Sequence, residues 1–140
     1  MPEKINILIV DDLELVHEPI EKFLKDFVFT KSQINITSAY NTTQAKRLLT
    51  ERKYDLVMLD GDIGGSWGYE IIQEILKHNG KTIIISSSNH DDFNTENVNL
   101  GAHEALNKTY LYDWNDKENV FRLQKAKVII ELFERKFGKL

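Results

Sequence analysis

The chain contains no cysteine, which excludes disulfides, thiolate nucleophiles and cysteine-ligated zinc. Any reaction must therefore use oxygen or nitrogen groups. Proline is scarce, two residues in 140, and only Pro19 falls within a helical pattern. Long apolar runs are missing too: "INILIV" is interrupted by Asn6 and is far shorter than a membrane span, and Met1 to Lys4 lead into no signal-peptide core. The expectation is a cytoplasmic protein that does not engage a membrane. The four histidines, His17, His78, His90 and His103, have no ligand spacing and read as surface or structural residues.

What is present is the balance of a folded protein, 41% hydrophobic and 29% charged. The length suits a single domain over 1–140. The net charge of −4 is unevenly spread: residues 117–140 hold 7 basic and 3 acidic side chains, and everything before them holds 11 and 19. The basic residues of the last segment lie among apolar ones at helical spacing, as on a solvated helix face, so nucleic-acid binding is not expected.

Four continuous, β-branched apolar runs read as strands buried on both faces: 5–10, 34–39, 55–59 and 82–86. A weaker fifth is "HEALNK", 103–108. Helical periodicity lies between them. Leu13, Val16, Ile20, Phe23, Leu24 and Phe27 form one stripe, with Pro19 predicting a late start or a kink. Asn41 or Thr42 is placed to cap a second helix, Tyr69 to Leu76 mark a third, and "HNG" at 78–80 predicts its end with Gly80 left-handed. A short Asn-rich helix follows at about 91–100, and a long one at about 115–137. The last shows two apolar stripes, Val120, Leu123, Ile130, Phe133 and Phe137, and Phe121, Val128, Ile129 and Leu132. One should pack on the sheet; the other is either core as well or a partner or dimer surface. Alternation of strand and helix predicts an α/β fold, a doubly wound five-stranded parallel sheet with helices on both faces.

In such sheets the ligand site lies at the carboxyl ends of the strands. Those ends carry Asp11 and Asp12, then Asp60, then Ser86, Ser87 and Ser88, then Lys108. Converging carboxylates repel one another unless a cation neutralises them, and Mg²⁺ suits an oxygen-only site that also handles phosphate. An aspartate there could act as nucleophile toward phosphorus, with Lys108 and a serine hydroxyl facing the oxygens of the transferred group.

The order "ILIVDD", "DLVMLDGDIGG", "IIISSS", "ALNK", with "GYEII" and "LGAHEALNK", resembles the receiver domain of bacterial two-component response regulators over nearly the whole chain. The resemblance implies a CheY-like strand order 2-1-3-4-5 and a phosphoacceptor without enzyme turnover. It implies Asp60 as the phosphorylated residue. Asp11, Asp12, Asp60 and the backbone carbonyl of Asp62 would hold Mg²⁺, and Lys108 would bind a phosphoryl oxygen. Ser86, by its interval from Gly101, would be the switch hydroxyl, with Ser87 the alternative. The implied partners are a histidine kinase or phosphotransfer protein and a downstream protein at the face of helix 4, strand 5 and helix 5, with no output domain expected after Leu140. The chain departs from the family at Thr109 and Ala105, where proline and an aromatic are usual. Tyr110 or Tyr112 could substitute for that aromatic. The loop after Asp60 lacks its usual proline and holds Asp62, Trp67 and extra glycines. Two other readings stay open: a degenerate receiver acting as an interaction module, and a haloacid-dehalogenase-like phosphatase, whose D-x-D start "LDGDIGG" resembles at Asp60 and Asp62.

Overall fold

The computed structural model describes the backbone of residues 4–63, 66–112 and 116–140, and the side chains within those segments except at 62, 63, 66, 67, 110, 112 and 116–119. Asp62's side chain, Trp67, Tyr110 and Tyr112, singled out in the sequence, thus lie outside the described side chains.

Five strands form one sheet: β1 (Lys4–Val10), β2 (Gln33–Ala39), β3 (Leu56–Leu59), β4 (Ile83–Ser86) and β5 (Glu104–Ala105). Their order is β2-β1-β3-β4-β5 and every neighbouring pair is parallel, as expected. The helices are α1 (Glu14–Phe23), α2 (Thr42–Glu51), α3 (Tyr69–His78), α4 (Asp91–Leu100) and α5 (Asp116–Phe137), with a helical turn at Thr109–Tyr112.

The continuous apolar strands are explained by two separate cores. Alternate strand residues point to opposite faces, so Ile5, Ile7, Ile9, Leu56, Met58, Ile83 and Ile85 pack on one side with Val16, Ile20, Phe23, Ile129 and Phe133 of α1 and α5. Leu8, Val10, Val57, Leu59 and Ile84 pack on the other with Ala45 and Leu49 of α2 and Ile71, Ile72 and Ile75 of α3. Each of the larger side chains among these contributes about 1.5–3 kcal/mol when taken out of water.

Several local expectations need correction. Pro19 neither delays nor ends α1, but lies inside it; it removes one bond, to the carbonyl of Leu15, a residue 89% exposed. Leu13 is half exposed and leaves the stripe, and a π-helical turn, Leu24–Val28, carries the chain onward. Asn41 does cap α2, accepting from the Gln44 N–H at 2.8 Å. Gly80 is not left-handed: α3 ends at an extended Asn79, and the positive φ of 128° belongs to Gly101, closing α4. The fifth strand ladders only at 104–105, although Leu106 and Lys108 still donate backbone bonds to Ser86 and Ser88.

The apolar side of α5 is neither sequence stripe. Arg122, Ala126, Ile129 and Phe133, each one helical turn from the next, are the buried row, while Val120, Phe121 and Leu123 are exposed. The Arg122 guanidinium lies 6.0 Å from the centre of the Phe27 ring. An element the sequence pattern does not announce also appears: Asp62–Ile63 pairs antiparallel with Ser66–Trp67 just after β3.

Candidate functional site

The chain leaves β1, builds β2 on one side of it, and returns to build β3 on the other, so β1 and β3 flank the point where strand order reverses. Val10 is in register with Leu59, which sets Asp11 and Asp60 side by side at the strand ends. Their backbones are fixed by the sheet: Asp11 N–H donates to Ala39 O at 3.1 Å and Asp60 N–H to Val10 O at 2.9 Å. Oxygens of Asp11, Asp12 and Asp60 lie within 4.8 Å of one another. Asp11 and Asp60 are buried, at 1% and 4% exposure, whereas Asp12 is exposed.

Lys108 reaches between the two buried carboxylates. Its Nζ stands 2.7 Å from Asp11 Oδ2 and 3.4 Å from Asp60 Oδ2, and the residue is 3% exposed. A buried charge needs a partner of opposite sign. Here three carboxylates meet one ammonium, so the cluster carries excess negative charge on oxygen donors alone. That donor set fits a hard divalent cation that retains water ligands. The adjoining pocket is lined by Asp12, Leu13, Asp60, Ser88, Asn89, His90 and Lys108.

Asp11 is not a helix cap in the ordinary sense. Its Oδ1 accepts from Leu13 N–H at 2.9 Å, and the residue at the cap position, Leu13, supplies no side-chain bond. Ser86 ends β4, and its hydroxyl is 2.7 Å from Asn94 Oδ1 and 2.9 Å from Asn97 Nδ2. Ser87 Oγ is buried without a hydrogen-bond partner among the described residues. Asp62 opens the short ribbon beside the site, and Gly68 N–H closes its base on Gly61 O at 2.8 Å. Thr109, in place of the family's usual proline, starts the helical turn and donates from both N–H and hydroxyl to Asn107 Oδ1.

Two features beside the site go beyond the sequence reading, which gave His17 only as surface or structural. His17 is buried, and its ring nitrogens bridge Ser38 Oγ at 2.9 Å and the Asp11 carbonyl at 2.8 Å. A lone histidine among apolar residues carried no spacing that would reveal this. Asn94 and Asn97 are buried as well; the available signal was negative, a helical segment with no apolar stripe.

Comparison with known proteins agrees with this geometry. Residues 7–113 match the response regulator receiver domain family. Sporulation initiation phosphotransferase F of Bacillus subtilis is 35% identical over 109 residues, covering 76% of this chain and 84% of that protein. The transcriptional regulatory protein YdfI of the same organism is 32% identical over 124 residues, 87% of this chain. This chain spans 54% of YdfI and 43% of the sensory transduction protein LytT, so it corresponds to about half of such relatives. Among solved structures, the signal receiver domain of an HD domain-containing protein from Pseudomonas fluorescens Pf-5 superimposes with a TM-score of 0.70 at 22% identity, covering 100% of this chain and 96% of that one. The response regulator TrrA of Thermotoga maritima, in complex with Mg(2+)-BeF, gives 0.65 at 25% identity over 87% of this chain and 98% of that one. With the strand order, the acidic cluster and the family match in agreement, the chain belongs to the response regulator receiver domain family.

Proposed function

We propose that this receiver accepts a phosphoryl group on Asp60 in a Mg²⁺-dependent reaction and passes the signal on by protein contact. The observation that carries the reading is the buried Lys108 ammonium shared by Asp11 and Asp60 inside the acidic trio. An Asp60 oxygen forms the bond to phosphorus while the bond from phosphorus to the donor's leaving group breaks; the donor is a phosphohistidine of a kinase or phosphotransfer protein. Lys108 faces the oxygens of the group in flight, where fixed positive charge stabilises the transition state.

Asp12, Asp11, Asp60 and the Asp62 carbonyl would hold Mg²⁺, which when bound would neutralise charge on the phosphoryl oxygens. Asp12, exposed on the pocket wall, is the most accessible of these carboxylates. Ser86 is the hydroxyl that turns toward the modified site. The downstream partner docks on the face of α4, β5 and α5, where Phe121 and Lys125 line a cleft with Ala105 and Asn107.

Incubation with acetyl phosphate and Mg²⁺ tests this. The intact mass should rise by one phosphoryl group, and chelation of the metal or Asp60→Asn should prevent the gain. A wild-type protein that binds Mg²⁺ yet never gains the mass would favour a degenerate receiver that works as an interaction module.

A further inference from the structure

The buried residues of α1 are Val16, His17, Ile20 and Phe23, so His17, at 6% exposure, is the polar one in an apolar row. Its ring is fixed on three sides. Nε2 stands 2.8 Å from the Asp11 carbonyl oxygen, Nδ1 stands 2.9 Å from Ser38 Oγ on β2, and the centre of the Tyr40 ring lies 4.5 Å from its own. A carbonyl oxygen only accepts, so Nε2 carries a proton and donates it to Asp11.

β1 ends at Val10 and α1 begins at Glu14, so Asp11, Asp12 and Leu13 carry the chain from sheet to helix. Asp11 is still tied to the sheet through its N–H, on Ala39 O at 3.1 Å, and its carboxylate accepts from Leu13 N–H and from Lys108. Its carbonyl is the group that leads onward. A peptide is planar, so that oxygen shares one rigid plane with the Asp12 N–H, and holding it sets the direction in which the chain enters Asp12. Asp12 needs such a hold. The residue is exposed, yet one of its oxygens must stay within 4.8 Å of oxygens of Asp11 and Asp60, whose charge repels it. Leu13, at the cap position of α1, supplies no side-chain bond that would order the crossing.

We propose that His17 is a positioning residue of the acidic site: by holding the Asp11 carbonyl it fixes the peptide plane that leads into Asp12, and so keeps the Asp12 carboxylate where a divalent cation is taken up. Ser38 and Tyr40 hold the ring, and the ring holds the peptide. Partners that orient a metal's ligands in this way are worth tenfold or more in affinity. The inference rests on the Mg²⁺ part of the reading above.

The test uses two amides that each keep one of the ring's bonds. From the same Cβ, a glutamine amide reaches as far as Nε2, and an asparagine amide only as far as Nδ1. Mg²⁺ affinity of the full chain is read by titration calorimetry, and stability by urea unfolding of the same preparations. His17→Ala and His17→Asn should bind Mg²⁺ about tenfold more weakly, whereas His17→Gln should stay within about twofold of the wild type. Ser38→Ala, which leaves the Asp11 bond in place, should lose stability and keep its affinity. Without metal, the amide nitrogen resonance of Asp12, which belongs to the held peptide, should move in His17→Ala and His17→Asn and stay in His17→Gln. Should His17→Ala fail to fold, the comparison of glutamine with asparagine carries the test. A wild type that binds Mg²⁺ beside variants that bind it equally well, or whose affinities follow their stabilities rather than the Asp11 bond, overturns the role of His17 alone. A wild type that takes up no Mg²⁺ removes the metal from the reading above, and this inference with it.

Discussion

Asp11 and Asp60 stand on β1 and β3, where residues 7–10 and 56–59 are all fully buried among hydrocarbon, whereas Ser86 and Ser88 lead into α4, whose buried side chains are two amides beside a partly buried Leu100. The two regions are held by different forces. Apolar packing is non-directional, dense and distributed over many contacts, so no single group can release it. Hydrogen bonds to Asn94 and Asn97 are few and directional, and one proton can redirect them. The stiff region is suited to holding charges at fixed separation; the polar one is held by a few bonds.

The contrast can be broken most forcefully at Met58, fully buried on β3. Met58→Ala should cost about 2–5 kcal/mol in urea unfolding, and a much smaller loss would mean that the strand is not packed as described. Next is Gly61, where an added Cβ would stand 2.7 Å from Phe93 Cβ. Gly61→Ala should cost about 1–3 kcal/mol as α4 is pushed away, with faster exchange in α4 and none in β1. At the surface, Lys46 Nζ lies 2.9 Å from Glu70 Oε2 with both side chains about half exposed. Glu70→Gln should change stability by less than about 1 kcal/mol, falling further in high salt.

The smallest effect is a pH dependence in the polar region. Burial, helped by the Lys136 charge, holds the His103 imidazole below its ordinary 6.5. Ile84 N–H also donates to its Nδ1 at 3.0 Å, a bond that requires that nitrogen to be unprotonated. The folded state thus binds this proton less readily than the unfolded one, so the contribution is complete above 6.5 and is lost as the pH falls through the lower folded value. Asp55 acts in the opposite sense further into acid. Burial raises its carboxyl above 3.8, so its contribution is present below 3.8 and is lost as pH rises through the folded value. Melting temperatures taken between about pH 7.5 and 5.5 should fall for the wild type and fall less for His103→Gln.

The stiff region was legible in the sequence because its physics is local and repetitive. Continuous β-branched runs announced β1, β3 and β4, and their alternation with helical periods announced the parallel sheet. The acidic trio followed from what ends each strand. The receiver family accounts for Asp60 after the third strand, and the dehalogenase-like alternative is set aside. The polar region was poorly legible because its determinants are long-range. Asn94 and Asn97 look like solvent residues until β4 and Gly61 are brought against them, and Arg122 looked like part of a solvated face until Phe27 covered it. The short ribbon after β3 depends on a four-residue pairing that no periodicity marks. Pro19 is carried inside α1 without delaying its start because the one carbonyl it orphans belongs to the exposed Leu15.

Peptide mapping of the protein after acetyl phosphate and Mg²⁺, with borohydride to convert an acyl phosphate on aspartate into homoserine, tests the central claim most directly. Conversion confined to Asp60, and dependent on Mg²⁺, is the predicted result. Conversion at Asp11, Asp12 or Asp62 instead, or none at Asp60 in a protein that holds the metal, would contradict it.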